Sequence, residues 1–126
     1  VKFSDFDLDL RVGQAGEQSV ATMLSIDTVE VKTDLQWHRT GNLYIETECW
    51  SIKEQAWVHS GISITKATHW AFELGGVALV VPTKDLRDIV WQHGSPIACN
   101  IEPNPSRGFL IKVIDILQFV KERKTR

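Results

Sequence analysis

The chain has 126 residues and a formal net charge of −2, with 43% apolar and 24% charged residues. That length suits one domain (1–126) around one core, and the composition is that of an ordinary globular protein. The charge excludes an overall positive field for nucleic acid and leaves a local basic patch open. No apolar run is long enough to span a bilayer and no signal-peptide pattern is present. With Val1 first, loss of an initiator methionine or leader is expected. Cys49 and Cys99 show neither zinc spacing nor a disulfide framework. Reduced thiols suit an intracellular, cytoplasmic setting.

Phe6, Leu8, Leu10 and Val12 alternate with Asp5, Asp7, Asp9 and Arg11, which predicts a short half-buried strand or extended arm. Gly13 and Gly16 open a helical stretch, GQAGEQSVATMLS, with Val12, Gly16, Val20 and Met23/Leu24 on one stripe. Glu17 sits at the border of that stripe near the helix start, where the macrodipole favours an anion.

The next stretch, TVEVKTDLQWHRTGNLYIETECW (28–50), reads as a hairpin. Val29, Val31, Thr33 and Leu35 share one side of its first strand, and Glu30, Lys32 and Asp34 the other. The segment His38–Asn42 is a turn signal. Leu43, Ile45, Thr47 and Cys49 then oppose Tyr44, Glu46, Glu48 and Trp50 across the second strand. A hairpin centred on Thr40 sets Asp34 against Glu46 and Lys32 against Glu48, and a slip of one residue would put carboxylates into the core. Further on, 54–59 predicts a strand. Ser63 caps a helix with Ala67, Trp70, Ala71 and Leu74 at i, i+3, i+4 and i+7, stopped by Gly75-Gly76. The run Val77–Val81 predicts a strand covered on both faces. A helix from Pro82-Thr83 to His93, a proline-rich loop over 95–108, a strand over 109–113 and a helix capped by Asp115 complete the chain. The order implies a mixed α/β sandwich.

Carboxylates facing each other across an antiparallel pair repel unless one is protonated, a basic group intervenes, or a cation binds. Oxygen donors suit Mg²⁺ or Mn²⁺. Such an ion held by Asp34 and Glu46 can activate water and polarise a phosphoryl oxygen, with Lys32 stabilising developing charge and the Thr47 carbonyl as a further ligand. A plain solvated sheet face, with Lys32 paired to Glu48 or Glu30, fits the spacing at least as well. Glu17 equally reads as an exposed helix residue, and Lys66 and His69 as solvated. Trp37 and Trp50 stay open as stacking groups.

The ordered pieces GQAGE, VEVKTD, TGNLYIETE, SGISITKATHW and VALVVPTKDL, over roughly Phe6–Leu86, resemble the PD-(D/E)XK nuclease superfamily. Within it the set is similar to small phage-type endonucleases and Holliday-junction-resolvase-like proteins. The resemblance implies a three-layer, restriction-endonuclease-type α/β fold with a mixed central sheet flanked by helices. It further implies a Mg²⁺- or Mn²⁺-dependent DNA endonuclease, phage-encoded in a bacterial host, with a homodimer compatible. By position, Glu17 matches the acid of the first helix, Asp34 the metal-binding Asp, and Glu46 the first acid of the (D/E)-x-K element. The family's lysine falls at Glu48, a departure for which Lys32 could substitute, and Lys66 less readily. Glu30-Val31-Lys32 is a literal E-x-K with Asp27 or Asp9 before it, but that alignment leaves Glu46 without a role. Lys53, Lys66 and the tail Lys121, Arg123, Lys124 and Arg126 are the cations that would guide DNA. The alternative is a catalytically silent nuclease fold acting as a nucleic-acid-binding or assembly module, favoured by the missing lysine.

Overall fold

The structure, a computed structural model, describes residues 5–25, 28–34 and 36–124. Asp27, Leu35 and Arg126 of the sequence reading lie outside them. In chain order the elements are α1 (Asp5–Leu24), β1 (Val29–Thr33), a one-turn α2 (Trp37–Thr40), β2 (Asn42–Ser51) and β3 (Ala56–His59). A 3₁₀ turn (Gly61–Ser63) leads to β4 (His69–Glu73), β5 (Ala78–Pro82), α3 (Thr83–His93), β6 (Ser95–Cys99), β7 (Ser106–Lys112) and α4 (Val113–Lys124). The protein is mixed α/β, and its strands divide between two sheets. One is a mixed sheet of order β1-β4-β5, and the other an antiparallel sheet of order β3-β2-β7-β6.

Several expectations are corrected. The segment 6–12 belongs to α1. Its alternation also satisfies the i, i+4 rule, as Phe6–Leu10 and Leu8–Val12, so an adjoining helix can extend through it. The hairpin does not form. β1 pairs in parallel with β4, with Lys32 opposite Phe72, while β2 lies between β3 and β7 in the other sheet. Between them α2 turns the chain, and Gly41, at φ 74°, ends it in the left-handed conformation that glycine adopts without strain. The expected helix after Ser63 is instead a loop and β4. The helical spacing of Ala67, Trp70, Ala71 and Leu74 competes with the strand preference of a Trp-Ala-Phe run, and pairing on both sides with β1 and β5 decides it. β5 is an edge strand, not one covered on both faces: on one face Ala78 is exposed and Val80 half-buried, while on the other Val81 is buried. The expected loop over 95–108 contains β6 and the start of β7, and Pro96 is tolerated because β6 is an edge.

The core gathers Leu43 and Ile45 of β2, Trp70 and Phe72 of β4, Leu86 and Ile89 of α3, Ile111 of β7 and Ile116 of α4. Burying each of these large side chains contributes about 1.5–3 kcal/mol. α3 packs on β7, β4 and β5, so it ties the two sheets together, and Trp37 packs against the same cluster from α2. Cys49 and Cys99 are free, and face Ser106 from opposite neighbouring strands. Two strand spacings, about 9.6 Å, separate their backbones, too far for a disulfide.

Candidate functional site

A cavity of about 610 Å³ lies between the two sheets. The mixed sheet and the turn after it contribute Lys32, Asp34 and Trp70. The antiparallel sheet contributes Tyr44, Glu46 and Leu110. Asp34 and Glu46, which sequence spacing put opposite one another in a hairpin, therefore line one cavity by another route, from the two sides of the gap between the sheets, whereas Glu48, expected opposite Lys32, does not line it.

Asp34 has a structural task. Its Oδ1 accepts the Gln36 backbone N–H at 2.8 Å and its Oδ2 the Tyr44 backbone N–H at 3.1 Å. The carboxylate thus starts the α2 turn and clips it to β2, much as Asp side chains do in Asx turns. Each oxygen retains a second lone pair for another donor or a cation. The Glu46 side chain makes no hydrogen bond or ion pair among the described residues, although its backbone is paired with Gly108 of β7. Its backbone, by contrast, is tightly placed. A Cβ added at Gly61, which sits at φ +54°, would lie 2.2 Å from the Glu46 carbonyl oxygen. A Cβ at Gly108 would lie 2.1 Å from the Ile45 carbonyl oxygen and 2.9 Å from the Glu46 Cα. The two glycines let neighbouring chain close around Glu46 from both sides.

That crowding accompanies a β-bulge. Glu46 pairs with Gly108 and Glu48 with Arg107, so Thr47 is the extra residue and the alternation of β2 inverts there. Glu46 and Glu48, expected on one face, fall on opposite faces. Glu48 borders a second, smaller cavity and is bound by Arg107, with Nε–Oε1 at 3.1 Å and Nη2–Oε2 at 3.2 Å. This contact, chiefly the hydrogen bonds, holds the Glu48 carboxyl below its usual range. The Arg107 guanidinium also lies 4.2 Å from the Trp57 ring centroid, and Trp50 meets Trp57 edge-on. The Thr47 carbonyl accepts the Ser60 N–H at 2.9 Å, and Thr47 lines the second cavity, not the first.

Lys32 is held loosely. Its ammonium lies 3.3 Å from Glu30 and 5.3 Å from the Trp70 ring centroid. A half-exposed ion pair and an exposed cation–π contact are each worth about 1 kcal/mol or less, so little opposes its moving to a bound anion. Arg39, also on the cavity, donates to the Gln36 side chain. The Tyr44 phenol hydrogen-bonds Ser106, yet burial pushes its pKa up, and Glu46 and Cys99 add to that rise. The buried indole Nε1–H of Trp70 has no acceptor among the described residues.

The other site expectations lie elsewhere. Glu17 is on an exposed stretch of α1 and does not line the cavity. Lys53 is exposed in the β2–β3 turn and Lys66 in the loop before β4. Arg123 pairs with Asp85 of α3. Sequence reasoning missed Arg107, Gly61 and Gly108. A lone Gly beside an expected strand is the available signal for the last. Among the described residues no group of three or more His, Cys, Asp and Glu side chains converges, and no helix is long and apolar enough to cross a membrane.

These features define a mixed α/β protein with a polar-rimmed cavity between two sheets. The chain matches no protein-family model, no curated protein and no solved structure.

Proposed function

We propose that this protein is a metal-dependent endonuclease of the PD-(D/E)XK type that hydrolyses phosphodiester bonds in DNA. The observation that carries the reading is that Lys32 of β1, Asp34 of the turn after it and Glu46 of β2 line one cavity. The donor chemistry fits a hard divalent ion: two carboxylates supply oxygen, and water and substrate phosphate would complete the shell, as is usual for Mg²⁺. When bound, Mg²⁺ or Mn²⁺ would polarise the phosphoryl group and acidify water. Glu46 is the unencumbered carboxylate, on the more rigid backbone. Asp34 offers its remaining lone pairs from a fixed position. Lys32 swings from Glu30 to the phosphate and stabilises its growing charge. In this reading Lys32 takes the part of the family lysine, since the bulge turns position 48 to the opposite face.

A catalytically silent, nucleic-acid-binding module is the second reading. It is favoured by the two backbone bonds that occupy Asp34 and by the absence of a third acid beside the pair among the described residues. Cleavage of plasmid and of single-stranded DNA with Mg²⁺ or Mn²⁺ separates the two. Glu46→Gln and Lys32→Met are each expected to lower the rate about 100-fold or more, with melting temperature unchanged. Salt-dependent DNA binding without cleavage under either metal overturns the enzyme in favour of the module. Cleavage indifferent to Glu46→Gln overturns the site.

A further inference from the structure

The mixed sheet buries Trp70, Phe72 and Val81 on its core side, and on its other side it leaves the valines of β1 exposed beside a buried Ala71 and a half-buried Val80. β1 places Glu30 and Lys32 on the side of Trp70 and Phe72, and turns Val29 and Val31 outward, 43% and 61% exposed. The ladder sets Val31 beside Ala71 and Ala71 beside Val80, so an apolar row crosses all three strands. Parallel pairs such as β1–β4 are normally covered on both faces, whereas Val29 and Val31 stand open on this one.

The same chain carries a second exposed apolar stripe, on α1. Residues 11–23 of α1 are all exposed, with Val12 at 66%, Val20 at 54% and Met23 at 44%. With Gly16 these follow one helical stripe. From Val12 to Met23 the stripe runs about 18 Å on a helix about 10 Å across. The sheet face is about 17 Å along its strands and about 14 Å wide. Only residues 25–28 separate the helix from β1, and short connections of this kind favour exchange of an element between copies.

We propose that α1 of each chain docks on the outer face of the mixed sheet of a second copy, giving a reciprocal two-fold dimer. Each helix-on-sheet contact would bury about 400–500 Å² over both partners, by the dimensions above. Two contacts reach about 800–1,000 Å², at the low end for specific association, so the dimer is weak and concentration-dependent. The proposal stands apart from the nuclease reading, because neither surface touches the cavity carboxylates.

Sedimentation equilibrium over a wide concentration range tests it. The wild type is expected to show a monomer–dimer equilibrium. Val31→Lys on the sheet and Val20→Lys on the helix are each expected to raise the dissociation constant about tenfold or more, since either would bury an unpaired charge. Both positions are exposed, so far-UV circular dichroism should be unchanged. A wild type that stays monomeric throughout overturns the proposal, and is the result if α1 folds back on its own sheet. A dimer that survives either substitution also overturns it, because reciprocity requires both surfaces.

Discussion

The two sheets hold the candidate site by different means. The antiparallel sheet presents Glu46 from a central strand, with Leu43 and Ile45 fully buried on the same strand and two glycines closed against its backbone. The mixed sheet presents Lys32 and Asp34 from an edge strand and the turn beyond it, where an exposed ion pair and one carboxylate clip provide the restraint. A site assembled this way has one rigid wall and one adjustable wall. The rigid wall depends on close backbone packing, and the adjustable one on a few polar contacts.

That contrast can be broken at its strongest point. Gly108→Val would drive a side chain into the Ile45 carbonyl and the Glu46 Cα. The expected cost is about 3 kcal/mol or more, because backbone cannot step aside as a flexible side chain can. Thermal unfolding should show it, and an unshifted melting temperature would mean the bulge is not closely packed.

The adjustable wall is expected to yield less. Asp34→Ala removes the acceptor of two backbone N–H groups, at about 1–3 kcal/mol. Hydrogen exchange should locate the loss, with the Gln36 and Tyr44 amides exchanging faster while the β7 amides keep their protection. Uniform acceleration across β7 would show that the two walls unfold as one.

The smallest effect is in acid, and it has one marker on each sheet. The Glu73 carboxylate accepts the N–H groups of Gly76 and Gly75, and those bonds hold its carboxyl below the usual 4.5. The hydrogen bonds and charge of Arg107 do the same for Glu48. Groups depressed in the folded state add stability that is complete above about 4.5 and is lost as pH falls through their lower folded values. Melting temperature should therefore decline below pH of about 4.5. Glu73→Gln and Glu48→Gln should each flatten part of that decline, and parallel profiles for both variants and wild type would deny either carboxylate a role.

Where the sequence was read correctly, the signal was local and redundant. The helix ending at His93 was marked by Pro82-Thr83 at its start and Gly94 after its end. The strand within 54–59 was equally plain, and so was the final helix, although it begins at Val113 and Asp115 lies in its first turn, accepting the Lys112 N–H, instead of capping it. Lys32, Asp34 and Glu46 were singled out by charge and alternation, and they share a cavity, but the hairpin used to join them was wrong. The failures have one physical source. Trp70 sits in a segment whose spacing suits a helix, and only partners on both sides make it a strand.

The amino-acid order by itself determined the mixed α/β class, the charged stretch and the punctuation between elements, because helix period, strand alternation and glycine turns act over a few residues. The tertiary structure alone decided that the strands split into two sheets and that one bulge at Thr47 parts Glu46 from Glu48. Strand pairing and bulge formation depend on backbone groups distant in the chain. No pattern of side chains within one segment specifies which of them will meet.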